Sequence, residues 1–401
     1  MALPSRICVG SKGMHKLTCG HWGCHLFEFA KGLTAARTRR LFGLDLVRAI
    51  AILLVLQVHI GFYGLRFYGL TLPPLMGLLG DLGVELFFVL SGFLIGALLL
   101  EISERSPTPQ GWLRFMLRRW MRTVPLYVLW ALILFLLMRL AHRAFPLLTY
   151  LTFTQNLAWP MPQNSPFPVS WSLTVEEWFY LLFSATLIVS ASIWSRRALL
   201  LTCALFILAP LVLRLWFDVI DVEEGPRKIA MFRLDAIAYG AMMVWLSSKF
   251  AQKMQRLCPV LLLTGLVLVI TAALFSDAIG PAFIFTLYPL GLALILPALS
   301  RLTSPWRAAE AIIGWLSTRS YGLYLTHLTI LDLGFWAART ERMPTVGLLV
   351  VLAGVFVVAD LLHRYVERPI MLLRPEQFPK MQRDATVLST IAVPEASPGT
   401  I

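Results

Sequence analysis

Arg48 and His59 stand eleven residues apart in RAIAILLVLQVHIGF (48–62), and Gln57 is the only other strongly polar side chain between them. On an α-helix, eleven steps turn the chain by about 1100°, about 20° past three full turns, and advance it by about 16 Å. The guanidinium and the imidazole therefore share one face. Asp45 joins that face and Gln57 does not. An arginine at the start of an apolar segment can snorkel to a membrane surface or pair with a neighbour such as Asp45. A histidine deep in the segment needs a polar partner or a watery cavity, and ionisable groups at that depth are functional candidates. Imidazole also titrates near neutrality, which suits a general base. An anion-binding group at one end and a proton-handling group inside describe a ligand with a charged head and a reactive tail.

Other stretches supply surroundings for such a ligand. The segment GWLRFMLRRWMRTVPLY places Arg118, Arg119 and Arg122 at i, i+1 and i+4, one turn after Arg114. Expected in a cytosolic loop, this cluster suits a phosphate clamp. Ordinary positive-inside bias and anionic lipid explain it equally well. The segment PVSWSLTVEEWFYLLF opens an apolar run with Glu176 and Glu177. One of the two is expected to face inward, toward the histidine or an acceptor, and the other outward to water. Supporting candidates are Glu85 and Ser91 in GDLGVELFFVLSGFLIG, and Tyr324, His327 and Asp332 in SYGLYLTHLTILD. Gly92 and Gly96 read most simply as close helix packing. Five cysteines (Cys8, Cys19, Cys24, Cys203, Cys258) form no disulfide framework. His15, His21 and His25 beside three of them fit no zinc spacing, so no metal is expected.

The elements that must hold these residues follow from composition. Of 401 residues, 58% are hydrophobic and 14% charged, which excludes an ordinary soluble domain. Apolar runs near the roughly 20 residues of a membrane helix recur, and the alternation of a barrel is absent. The fold class is all-α and polytopic. Ten spans are expected near 44–64, 82–100, 124–140, 171–191, 198–217, 229–248, 258–276, 281–299, 311–335 and 344–363. With the N-terminus inside, cytoplasmic segments hold 24 Lys and Arg, the opposite loops hold 6, and 5 lie in or at the ends of spans. Both termini are therefore expected in the cytoplasm. The net charge of +13 lies in short loops, which argues against a nucleic-acid partner. Residues 1–40 read as a basic arm lacking the apolar core of a cleavable signal peptide. Residues 41–370 read as the membrane domain, and 371–401 as a polar tail. The connection 141–170, rich in proline and aromatics, is expected to fold over an outward-facing entrance, and 218–228 to form a solvated acidic loop.

Taken together, GLDLVRAIAILLVLQVH, GVELFFVLSGFLIG, FMLRRWMRTVPLY, SWSLTVEEWFYL, SYGLYLTH and RYVERPI resemble, in order, the acyltransferase-3 family of membrane acyltransferases over roughly residues 40–370. The resemblance implies ten helices in a bacterial inner membrane. It implies an acyl group, acetyl by default, taken from cytosolic acyl-coenzyme A and passed to a hydroxyl of a surface glycan or glycolipid. No permanently bound cofactor is implied. His59 matches the family's catalytic histidine and Arg48 the arginine of the same motif. Arg118, Arg119 and Arg122 match its basic motif, and Glu176 and Glu177 its paired carboxylates. Val47 and Ala49 stand where glycines are common, and Trp178 replaces a frequent glutamine. Thr326 and Thr329 replace a usual tryptophan and proline, which puts a catalytic role for His327 in question.

The chemistry also follows from the residues themselves. A thioester is already activated, so a catalyst must deprotonate the acceptor, align it and stabilise an oxyanion. His59 is expected to act as general base with Glu176 or Glu177 orienting it, or else to carry the acyl group as an acyl-histidine. The competing class is a proton-coupled exporter of a glycan or lipid. Such transporters often show two related halves, whereas the charged intramembrane pairs here concentrate in the first four spans.

Overall fold

The structure is a computed structural model that describes residues 42–67, 69–105, 108–157, 165–194, 197–217, 225–304, 306–338 and 344–376. The expected N-terminal arm, with Cys8, Cys19, Cys24, His15, His21 and His25, lies outside the described residues, as does most of the expected tail. Ten long helices carry the described chain: α1 (Phe42–Phe67), α2 (Pro74–Arg105), α3 (Pro109–Leu140), α4 (Ser170–Trp194), α5 (Ala198–Trp216), α6 (Leu234–Lys249), α7 (Ala251–Leu274), α8 (Pro281–Leu299), α9 (Arg307–Ala338) and α10 (Pro344–Leu362). No strand occurs among the described residues.

Eight of the ten are long and apolar enough to cross a membrane, α10 together with its continuation to Leu372. The expected spans at 229–248 and 311–335 are also helical, as α6 and α9, but they fall short for different reasons. At 16 residues, α6 reaches only about 24 Å of the roughly 30 Å hydrocarbon layer. It is buried nearly all round, by α2, α5 and α8, as a central helix should be. In α9 the run Ser317, Thr318, Arg319, Ser320 breaks the apolar character of an otherwise sufficient length.

Helix α3 starts well before its apolar run. Thr108 caps α3 by accepting a hydrogen bond from the Gly111 amide at 3.1 Å, and Pro109 fills the first turn, where no donor is needed. Arg114, Arg118, Arg119 and Arg122 therefore sit on a helix rather than in the expected loop.

Close packing and buried ion pairs fix the arrangement around α6. Gly92 on α2 and Gly240 on α6 lie face to face, and a Cβ on either would run into the opposite backbone carbonyl, of Ile237 or Val89. Arg214 of α5 and Asp235 of α6 form a fully buried pair at 2.6 Å. The same guanidinium donates to Thr286 Oγ1 of α8 at 2.7 Å and to the Ala282 carbonyl at 3.1 Å. Just before α6, Arg233 pairs with Glu85 of α2 and lies 4.4 Å from the centroid of the Phe285 ring. Within the described part of 141–170, Tyr127 of α3 stacks on Phe153 and Phe167, at 4.5 and 5.4 Å between centroids. These contacts bind that connection to the bundle. Residues 218–224 of the expected acidic loop lie outside the described residues, while Arg227 pairs with Asp81.

Candidate active site

The face shared by Arg48 and His59 on α1 packs against α9. At its first end, Arg48 lies 3.7 Å from Asp45 and donates to Ser317 Oγ at 3.2 Å, while Ser317 donates to Asp45 at 2.5 Å. Three helical turns on, His59 meets His327 of α9, with His327 Nε2 and His59 Nδ1 3.2 Å apart. Each ring also turns its Nδ1 toward a carbonyl one turn back, Val55 for His59 and Leu323 for His327, both at 2.9 Å.

These contacts fix the tautomers of the neutral pair. Carbonyl oxygens only accept, so His327 Nδ1–H donates to Leu323 and its Nε2 is left as an acceptor. The proton on His59 must then lie on Nδ1, shared between the Val55 carbonyl and His327 Nε2. His59 Nε2 keeps a lone pair and, among the described residues, takes no hydrogen bond. That is the form an imidazole needs to remove a proton or attack a carbonyl. His327 is fully buried, and His59 is partly exposed.

A cavity of about 110 Å³ opens beside Arg48 and is lined also by Arg119, Arg122, Ser91, Glu176 and Tyr324. Three guanidiniums thus gather on one wall. The fourth predicted cation, Arg118, does not join them and donates instead to the Pro375 carbonyl. On α3, Arg122 lies about 40° from Arg118 and about 60° from Arg119, and the cavity takes the second pair. On the α2 wall, Val84, Phe87, Phe88, Ser91 and Leu94 follow helical spacing. Glu85 falls on another face, so this candidate is a buried structural partner of Arg233 rather than a cavity group.

The paired carboxylates separate. Glu176 lines the cavity and accepts from Tyr180 Oη at 3.0 Å, and that oxygen also receives Arg119 Nη2 at 2.9 Å and meets Ser91 Oγ at 2.5 Å. Glu177 does not face water, as one of the pair was expected to, but is buried against α3, where Thr123 Oγ1 donates to it at 2.7 Å. Neither carboxylate hydrogen-bonds to His59; the side chain that does is His327. Tyr324 lines the cavity, bonded to Ser172 at 2.6 Å, with its ring 6.1 Å from that of His327. Among the described residues, no cluster of His, Cys, Asp and Glu suits a metal.

Sequence reasoning missed Tyr180 and Ser317. Tyr180 follows Glu176 by one helical turn, a signal that was present. Ser317 comes from 272 residues beyond its partner Asp45, and local spacing holds no trace of that contact.

Residues 41–364 match the family model described as an acyltransferase domain. The chain belongs to this acyltransferase family. Within the acyltransferase domain lie every cavity-lining residue named above and both histidines. The chain is 25% identical over 358 residues to a peptidoglycan O-acetyltransferase of Listeria monocytogenes, covering 82% of this chain and 55% of that protein. It is 26% identical over 367 residues to an O-acetyltransferase of Staphylococcus aureus, covering 83% and 57%. The chain spans about half the length of the curated relatives it matches. No solved structure matches it. Span-length apolar helices together with bacterial relatives make this a multi-pass bacterial membrane protein.

Proposed function

We propose that the protein is a membrane O-acyltransferase that moves an acetyl group from acetyl-coenzyme A to a hydroxyl of a cell-wall glycan of the peptidoglycan type. Both termini are placed in the cytoplasm, so that Arg48, Arg119 and Arg122 receive the donor's phosphates at the inner face. The pantetheine arm runs along the cavity past Ser91 and Tyr180, and the thioester comes to rest beyond Tyr324, next to the histidine pair. There His59 Nε2 takes the proton of the acceptor hydroxyl as its oxygen attacks the thioester carbon. The tetrahedral intermediate collapses with cleavage of the C–S bond, and the coenzyme thiolate leaves with the proton. His327 holds His59 in the tautomer that permits this and supports the imidazolium that forms, its Nε2 accepting from the Nδ1–H.

The observation that carries the reading is the unengaged Nε2 of His59, set by its bond to His327, whose ring lies 6.1 Å from that of Tyr324 in the lining of a cavity bearing three arginines. A glycan acceptor rests on what the relatives are named for. A transporter would need no group with this tautomer. Incubating membranes containing the protein with [¹⁴C]acetyl-coenzyme A and glycan decides between them. Label on the carbohydrate is expected, and label remaining on the donor while either compound crosses the membrane would reject the acyltransferase.

A further inference from the structure

The histidine pair supplies a base and the group that orients it. Acyl transfer also places negative charge on the thioester oxygen, and that charge needs a hydrogen-bond donor. Arg48, about 16 Å along α1 from His59, is too far away to be that donor. Arg227 stands closer. A Cβ on Gly80 of α2 would lie 2.5 Å from the Val58 side chain of α1, and one on Gly83 would meet Ala51 and Val55, so the two helices run antiparallel in contact. One residue beyond Gly80 and Val58 come Asp81 and His59, within about 3 Å of one level along the helix axes. Arg227, in the short helical turn Gly225–Lys228, pairs with that Asp81 through Nη2.

Further contacts bring the guanidinium toward the reacting groups. It lies 5.8 Å from the centroid of the Trp171 ring. The next residue on α4, Ser172, is hydrogen-bonded to Tyr324, whose ring is 6.1 Å from that of His327. The charge of Arg227 accordingly acts on both the His59 imidazole and the Tyr324 phenol. Its side chain is 25% exposed, and beyond Asp81 it has no hydrogen-bond partner among the described residues. A guanidinium carries five N–H donors, and one carboxylate engages only some of them. Partly exposed ion pairs of this kind add little to stability. What the pair with Asp81 does supply is a fixed orientation for a cation with donors to spare.

We propose that Arg227 is the oxyanion donor of the acyl transfer, a catalytic residue held in place by Asp81. As the acceptor oxygen bonds to the thioester carbon, the carbonyl electron pair moves onto its oxygen, and an N–H of Arg227 donates to it there. The electron pair returns as the C–S bond breaks and the coenzyme thiolate leaves. The inference rests on the acyltransferase reading above and adds a residue to its chemistry.

Binding of an oxyanion mimic tests this without turnover. The mimic is a coenzyme A analogue with methylene in place of sulphur and a carboxylate in place of the acetyl group, and its primary amide is the neutral comparison. With the full chain in nanodiscs, competition against tritiated coenzyme A should show the carboxylate binding at least about tenfold tighter than the amide. In Arg227→Ala the two should bind within about threefold of each other, while coenzyme A itself binds within about threefold of wild type. Arg227→Ala should also lose about 10²–10³-fold in kcat, and Arg227→Lys should regain part of the carboxylate preference. Equal binding of the two analogues by wild type, or a preference unchanged in Arg227→Ala, would overturn the proposal. If the preference depends on Arg227 but wild type transfers no acetyl group, the anion site stands and the acyltransferase reading fails. If transfer proceeds and Arg227→Ala leaves its rate unchanged, the reading stands and this role fails. Absence of coenzyme A binding would reject both.

Discussion

His327 Nε2 lies 3.2 Å from His59 Nδ1, a contact between side chains 268 positions apart in sequence. Two neutral imidazoles in this arrangement share one proton in a defined direction. His327 accepts, His59 donates, and the far nitrogen of His59 is left basic. The pair resembles in logic a base and the group that orients it, with a neutral ring standing where a carboxylate often does.

That direction makes His327 a positioning residue with a distinctive signature. His327→Ala should lower kcat by about 10²-fold with KM for both substrates within threefold. His327→Gln keeps an acceptor for the Nδ1–H and should recover about a tenth or more of wild-type kcat. Steady-state kinetics on purified protein checks both, and equal loss in the two variants would mean that bulk rather than hydrogen bonding matters.

The arginines should divide by which wall they face. Arg122→Ala removes a cavity cation and should raise KM for acetyl-coenzyme A about tenfold, or ~1.4 kcal/mol. Arg118→Ala, whose guanidinium donates to Pro375, should change it by less than about twofold. A donor titration in membranes compares them, and the reverse ranking would displace the donor from this cavity.

The buried pair of Arg214 and Asp235 should matter for stability. Asp235→Ala leaves a guanidinium buried with only Thr286 and two carbonyls, and loss of one partner of such a pair costs about 3–5 kcal/mol. Thermal unfolding in detergent should show a markedly lower midpoint. Asp235→Asn keeps one of the two oxygens that accept from Arg214 and should lose less.

Much of this site was legible because helical geometry carries local information. The eleven-residue interval put Arg48 and His59 on one face, and the apolar runs located every long helix. The register of Arg118, Arg119 and Arg122 was readable too, but which face meets a cavity depends on neighbouring helices. The polar start of α3 hid its first turns, because the hydropathy of a loop and of a basic helix end look alike. Glu176 and Glu177 were visible as a pair, yet their partners, Tyr180 and Thr123, decide their roles. Glu85 stood as a supporting candidate until Arg233, 148 residues away, claimed it. His327 stood in the sequence with no sign of its partner, since nothing local specifies that α9 packs against α1.

The central claim concerns one nitrogen, His59 Nε2, and acetyl transfer by a His59→Ala variant measures it most directly. With the variant present in the membrane in normal amount, [¹⁴C]acetyl transfer to glycan should fall by at least about 10³-fold, while binding of acetyl-coenzyme A stays within threefold of wild type. Transfer at an undiminished rate would contradict the account.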